Sequence, residues 1–381
     1  MRKLIIYLFS MLFLSVSLKA DSFSFSFYQN MTDNIFQNRY SGRDQISQMG
    51  FYFDKDFSKI SIFTEGNYSY LFENPSLAYY LQDVGLDYIH PVSDKAALYF
   101  SLIGQGVFYR AGYEDFNYLS FNFLVAFKTY LSQASILKSN YSLDYRSFRY
   151  SLFDFVSHGL SVSFDRYFQT RTTLQSEINW GLKHYLHPYS SQEVILVEGG
   201  GGHHSGRRSY LFVPRTQFEG QSIQVFSFAA LVAQGIGGNV GLSISGIKQW
   251  YLSGENPFTS VEEFYMVENP SYDRFAWKGY QLGSQVTLLI PWNIELKIGY
   301  TMANREFPGI ESMNLDEESL GVTREDRRRT LETRLEKNFP RLSFFLSYAY
   351  VDNNSNDPFF DWQGNFFSAG IEWNMFFGGR K

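Results

Sequence analysis

The chain has no cysteine in its 381 residues, which excludes a disulfide scaffold and a thiolate metal site. Charge is scarce: 19% of residues are Asp, Glu, Lys or Arg, against about 25% in an ordinary globular domain. Long apolar runs are missing as well. Beyond the amino terminus nothing approaches the roughly 20 residues that a membrane helix needs, and the mean hydropathy is slightly polar, -0.24. Yet 19% of the chain is aromatic, with 39 Phe and 28 Tyr. A disordered chain does not keep so many rings in water. Apolar and polar residues must therefore be finely interleaved.

The amino terminus is the exception. Arg2 and Lys3 precede an apolar run from Leu4 to Leu14, broken only by Ser10, and Ser15-Val16-Ser17-Leu18-Lys19-Ala20 follows. Basic head, apolar stretch and small residues are the order of a secretory signal, residues 1–20, cleaved after Ala20 and exported by the Sec route. The run is too short to serve as a spanning anchor. Without Arg2, Lys3 and Lys19, 30 basic residues face 38 acidic ones. Such an acidic exported chain is not designed for nucleic acid. Residues 21–381 show no domain break.

Alternation runs through that remainder. Phe23, Phe25 and Phe27 face one way and Ser22, Ser24 and Ser26 the other. Leu160, Val162 and Phe164 oppose Ser161, Ser163 and Asp165, and Ile371 and Trp373 oppose Glu372 and Asn374. Side chains two apart share a face of a strand, so each segment has one apolar and one polar face. The pattern predicts sixteen strands, near 22–29, 45–54, 58–71, 78–90, 95–108, 116–130, 134–145, 155–166, 170–184, 221–234, 238–252, 275–290, 292–303, 326–338, 341–351 and 364–376. Every second connection is tight, as at Lys55-Asp56-Phe57 or Pro291-Trp292. The others are longer and polar, notably 185–220, 253–274 and 304–325. Short turns at one end and long loops at the other define an all-β, antiparallel, up-and-down transmembrane barrel of about sixteen strands, eighteen also fitting the length.

A soluble β-sandwich or propeller is the alternative. It needs neither the alternating connection classes nor rings gathered at strand ends. Trp180, Trp250, Tyr251 and Trp277 stand at long-loop ends, and Trp292, Trp373 and Phe377 at the short-turn end. Aromatic girdles at both interfaces are expected of a membrane barrel.

The mature chain resembles the integral outer-membrane β-barrels of Gram-negative bacteria, in the broad porin-like class. The segment Ala369 to Phe377 resembles their aromatic-ended closing strand, although Gly378-Gly379-Arg380-Lys381 follows it. Tyr348 to Asp357 resembles late hairpins of uncharacterised barrels of this class. The resemblance implies outer-membrane lipids, lipopolysaccharide and the barrel assembly machinery as partners, and no nucleic acid. It does not fix the cargo, because one barrel design hosts pores, enzymes, adhesins and secretion parts.

Three constellations carry candidate chemistry. His203 and Ser205 stand in the His-x-Ser spacing of outer-membrane lipid esterases, with His as base and Ser as nucleophile. The glycines at 199–202 and 206 make this a polar loop tip instead, and an enzyme is the last reading. Asp352, Asn354 and Asn356 match the opening of a calcium loop, but Asp357 replaces its glycine and Gln363 its final acid. Glu262, Glu263, Asp316, Glu317 and Glu318 are acids for divalent ions at the lipopolysaccharide or simply solvated charge. The third constellation is the polar face itself. It places Asp83, Asp87, Asp144, Asp165, Glu177, Lys183, Glu295, Lys297, Glu332, Arg334, Glu336 and Glu372 towards the lumen, because a basic residue facing lipid costs about 2–4 kcal/mol at the midplane. Cross-paired, these charges brace the wall. Lining a gap, they screen solutes, and their acidic excess favours cations. Loop 185–220 is long enough to fold in as a constriction. No plug domain, energy-coupling segment or cofactor motif is visible. The expectation is a passive, weakly cation-preferring diffusion channel. The alternative is a structural or adhesive barrel that displays its loops.

Overall fold

Two-residue periodicity is realised as a wall of hydrogen-bonded strands. The computed structural model describes residues 21–187, 195–196, 210–214, 222–255, 258–261, 273–316 and 318–377. The predicted leader lies outside them. The strands are β1 (Ser22–Thr32), β2 (Asp44–Phe57), β3 (Ile60–Leu71), β4 (Tyr79–Ser93), β5 (Ala96–Tyr109), β6 (Tyr118–Ser132), β7 (Ser135–Phe148), β8 (Phe155–Tyr167) and β9 (Thr172–Tyr185). They continue as β10 (Ile195–Leu196), β11 (Tyr210–Pro214), β12 (Ser222–Ile236), β13 (Val240–Ser253), β14 (Phe258–Val261) and β15 (Lys278–Ile290). The last four are β16 (Ile294–Met313), β17 (Ser319–Asn338), β18 (Leu342–Ser355) and β19 (Trp362–Phe376). All but β10, β11 and β14 form one closed antiparallel barrel of sixteen strands, in which β1 meets β19. The three short strands make a separate antiparallel sheet. Every strand predicted from alternation has its counterpart.

One prediction needs correcting. Residues 304–325 are not a long loop: β16 and β17 are 20 residues each and continue as a hairpin to a tight turn. Asn314 closes that turn by accepting from the backbone N–H groups of Asp316 and Glu318. The pattern is broken at Pro308, which has no N–H to give the ladder, and at Gly309, whose φ is 85°. The register shifts there, between Glu306 and Glu311, as bulged strands do.

Cross-strand partners share a face, so the register assigns every side chain. One row runs Leu160, Trp180, Phe226, Trp250 over β8, β9, β12 and β13. The adjacent row runs Ser161, Asn179, Ser227, Gln249 over the same strands. The first row faces out and the second faces in. Leu160 is 48% exposed, Val162 44%, Ile371 42% and Trp373 45%. Phe164 shares their face. An exposed apolar belt round a closed sheet is the surface a bilayer covers.

Candidate functional site

The lumen is built in two tiers. Nearer the short turns, inward positions are mostly small or polar, and two exceptions, Phe63 and Phe345, lie over the inward glycines Gly85 and Gly370. All twelve charged residues expected at the lumen lie on the inward face of the register. Many are paired along the wall. Lys138 meets Asp165 at 2.6 Å, Lys297 meets Glu295 at 2.6 Å and Arg334 meets Glu336 at 3.1 Å. The Tyr28 hydroxyl donates to Glu372 at 2.5 Å, and the Tyr99 hydroxyl to Asp87 at 2.7 Å. Glu177 and Glu332 have no ion pair or side-chain hydrogen bond among the described residues, so their charge is available to solutes.

Nearer the loops, the inner wall turns apolar. Ile46, Leu71, Tyr79, Val107, Tyr118, Phe148, Phe155, Tyr185, Ile223 and Phe307 are all buried there. The loops supply what buries them. Five junctions repeat one small pattern, an apolar residue two before an aromatic that opens or directly precedes a strand. They are Leu77-Ala78-Tyr79, Phe116-Asn117-Tyr118, Phe153-Asp154-Phe155, Phe275-Ala276-Trp277 and Phe360-Asp361-Trp362. Each rests on a turn closed three residues back, for example Ala78 N–H to Pro75 O at 3.2 Å and Asp154 N–H to Ser151 O at 2.9 Å. The turn aims its apolar residue inward, and all five are at most 4% exposed. The repeat was legible in the sequence as F/L-x-aromatic, but alternation alone did not single it out.

Cations are buried among these rings. Arg324 is fully buried, pairs with Asp326 at 2.5 Å and lies 3.3 Å from the Phe360 ring centroid and 4.3 Å from that of Phe307. Lys183 is also fully buried. It pairs with Asp273 at 2.7 Å and sits over the rings of Phe155 and Tyr185 at 4.2 and 4.7 Å. A buried charge is tolerable only with such a partner and donors satisfied, while ring faces add cation–π attraction.

The Lys183–Asp273 pair fixes an internal strap. Residues 273–277 precede β15 yet lie on the inner wall of β8, β9, β12 and β13. The Tyr251 hydroxyl donates to Phe275 O, and Gln249 Nε2 donates to Arg274 O at 2.7 Å and Trp277 O at 2.6 Å. Two glycines leave the room. A Cβ on Gly181 would stand 2.9 Å from the Phe275 ring, and one on Gly159 would stand 3.1 Å from the Arg274 guanidinium. Beside the strap is a cavity of about 480 Å³ whose lining mixes polar side chains, among them Ser142, Asp144, Ser157 and Arg274, with apolar ones such as Ile103, Leu124, Phe155 and Phe275. Asp144 pairs through Oδ2 with Arg146 at 3.0 Å, and its buried Oδ1 has no hydrogen-bond partner. The site thus offers both an acceptor and, from Arg274, a cationic donor.

Several sequence expectations are relocated. Tyr251 and Trp277 are not in the girdle. Tyr251 neighbours Trp250 in β13, and adjacent strand residues face opposite ways, so Tyr251 packs inside. Trp277 packs against the same interior cluster, 5.0 Å under Arg305. Trp180, Trp250 and Trp373 face out, while Trp292 and Phe377 are exposed at the turn end, Trp292 by 82%. Asp352 and Asn354 are not in a calcium loop, because β18 is extended through Ser355 and presents them on its outer face. Asn356 instead accepts from Ser312 Oγ at 2.7 Å and from Glu325 N–H at 2.8 Å. His203, Ser205, Glu262, Glu263 and most of loop 185–220 lie outside the described residues. The in-folding seen in the structure belongs to 273–277.

A closed even-stranded barrel with an apolar exterior, a polar interior and turns segregated from loops is an integral outer-membrane barrel of the porin-like class. Known structures share this fold. The chain is similar to Acinetobacter baumannii OccAB4 (TM-score 0.52, 10% identity, 93% of this chain and 98% of that one covered). It is likewise similar to Acinetobacter baumannii OccAB3 (0.51, 8%, 93% and 98%) and Pseudomonas aeruginosa OccK8 (OprE) (0.50, 9%, 93% and 97%). At these identities the likeness is one of fold. No protein-family model and no curated protein matches the sequence.

Proposed function

We propose that the protein is a passive outer-membrane diffusion channel for small polar solutes, with a weak preference for cations and a constriction at the strap. The observation that carries this reading is the strap itself. Residues 273–277 are held inside the barrel by an ion pair whose lysine is fully buried, beside a cavity that presents both polar and apolar side chains. A barrel serving only to display loops has no use for a loop segment latched to its inner wall. Sixteen strands leave an interior wide enough for water. Arg274 and the unpaired oxygen of Asp144 present opposite polarity to a solute passing the strap. Below it, Glu177 and Glu332 leave the wall with uncompensated negative charge, which favours cations.

The test is conductance in planar bilayers with the purified barrel. The channel reading expects defined steps, larger steps for Phe275→Ala, and a raised cation-to-anion permeability ratio for Arg274→Ala. A folded, heat-modifiable barrel that passes no current in any variant would favour the display reading.

A further inference from the structure

The outer face of the barrel is uneven in charge. Over the loop-side half of β1–β9, β12 and β19, outward positions carry no Lys or Arg. They are residues such as Met31, Tyr68, Phe108, Phe121, Tyr145, Leu182 and Gln363. The sector from β13 to β17 differs. There the outward row is Lys248, Tyr280, Asn304, Arg327, one residue per strand. The next outward row includes Leu282, Met302 and Arg329, and Lys278 lies two residues above Tyr280. These cations sit where the apolar belt ends. Exposed Leu331, Tyr300, Ile244 and Leu282 lie immediately below them.

We infer that this sector is a binding site for a phosphorylated glycolipid of the outer leaflet, with the headgroup phosphates held by Arg327 and Arg329 at one side and by Lys248 at the other. Placement is the first argument. A cation on a lipid-facing strand is costly at midplane and nearly free of cost near the interface, which puts Arg327 and Arg329 at headgroup depth. Availability is the second. Arg327 and Arg329 have no ion pair or side-chain hydrogen bond among the described residues. Among the described residues Lys248 has no ion pair or side-chain hydrogen bond and lies over the rings of Trp250 and Tyr280, at 6.0 and 5.9 Å from their centroids. Lys278, by contrast, is committed to Glu306 at 2.7 Å.

Shape is the third argument. A concavity of about 400 Å³ opens beside this row, lined by Lys248, Lys278, Tyr280 and Asn304 and closed on the side nearer Arg327 by Glu306 and Glu325. Lys248 and Arg327 are three strands apart, roughly 14 Å at the usual strand spacing. That span suits a disaccharide with a phosphate at each end better than a single small anion. Glu325 in β17 and Asp352 in the adjoining β18, opposite Arg329, supply carboxylates through which a divalent cation would bridge to the same phosphates. The rings of Trp250 and Tyr280 complete the site, since amphipathic aromatics settle at headgroup level. The inference rests on the loop end facing the cell exterior, and it is independent of whether the lumen conducts.

The experiment is native mass spectrometry of the detergent-purified full barrel with a bis-phosphorylated glycolipid and its dephosphorylated analogue. The barrel should retain the phosphorylated form preferentially. The triple variant Lys248→Gln, Arg327→Gln, Arg329→Gln should bind it at least about tenfold more weakly, because it removes the charged partners of the phosphates. Lys59→Gln, in a turn at the opposite end, should bind as the parent does. Heat-modifiable migration and single-channel conductance should match the parent in both variants, which separates a lost lipid site from a misfolded barrel. Unchanged retention in the triple variant overturns the site. So does equal retention of the dephosphorylated lipid, or displacement of the lipid by excess inorganic phosphate alone.

Discussion

The two tiers of the lumen solve the same problem, placing charge inside a sheet, in opposite ways. Near the turns, pairs such as Arg334–Glu336 and Lys297–Glu295 keep about a third of each side chain exposed. Water screens them, so each is worth little. Near the loops, Arg324–Asp326 and Lys183–Asp273 bury their cations completely under aromatic rings. There the pair is hard to lose, because either partner alone becomes an uncompensated buried charge. The difference teaches that the turn-side wall is tunable and the loop-side rim is not. Selectivity can be changed cheaply below, whereas the shape of the entrance is fixed by residues whose removal threatens the fold.

The largest test of this contrast is Asp326→Ala, which strands Arg324 and should cost about 3–5 kcal/mol, against less than about 1 kcal/mol for Glu336→Ala. Urea midpoints followed by heat-modifiable migration compare them, and equal shifts would erase the distinction between tiers. Next comes the wall itself. Val162→Arg should cost about 2–4 kcal/mol near the bilayer centre, and Ser161→Arg far less. Similar damage from both would contradict the register of β8.

A smaller effect is expected on permeation. Glu177→Gln with Glu332→Gln removes the two unpaired wall acids. A unit charge acts at 8 Å in water with about 0.5 kcal/mol, roughly a twofold change. The cation-to-anion ratio from reversal potentials should fall by that order and the shift should shrink as salt rises. An unchanged ratio would mean that current avoids this wall.

The smallest concerns the turn-side end of the β1–β2 pair. Asp21 precedes β1 and its carboxyl is held below the usual range by the Lys55 ammonium at 2.7 Å and by the Asp56 N–H. Its contribution is present above about pH 4 and disappears as pH falls through the lowered value. Asp21→Asn should therefore weaken the barrel slightly at neutral pH and not in acid. A variant difference that grew on acidification would refute the assignment.

Most of the wall was legible because a barrel strand alternates strictly. Each Phe-Ser or Leu-Ser repeat states both the strand and its faces, so sixteen strands could be placed, all within a few residues except at the loop ends of β16 and β17. The failures share one cause. At the loop side the interior becomes apolar, so hydrophobicity no longer distinguishes inside from outside. Tyr251 and Trp277 looked like girdle residues for that reason. Likewise 304–325 read as a loop because β16 and β17 project past the bilayer, where no lipid enforces alternation. The strap was not legible, since its position depends on Lys183 and Asp273, 90 residues apart in sequence. The metal and esterase motifs were spacing alone, and β18 shows how an extended backbone dissolves a loop motif.

The seam between β1 and β19 has a kinetic consequence. It joins residues about 350 apart, with Ser24 donating to Asn374 and Tyr28 to Glu372 along the inner wall, and Ser368 to Asn30 further up. All other barrel neighbours follow one another in the chain or are separated by one loop. They can therefore zip progressively, whereas the seam must wait until the whole curved sheet exists. Loop-closure entropy grows only logarithmically with length, so the delay comes from the order of events more than from the distance. Until closure, β1 and β19 are both open edges. The side-chain bonds at the seam need both of its strands in place, so they reward closure of the complete ring rather than any partial sheet.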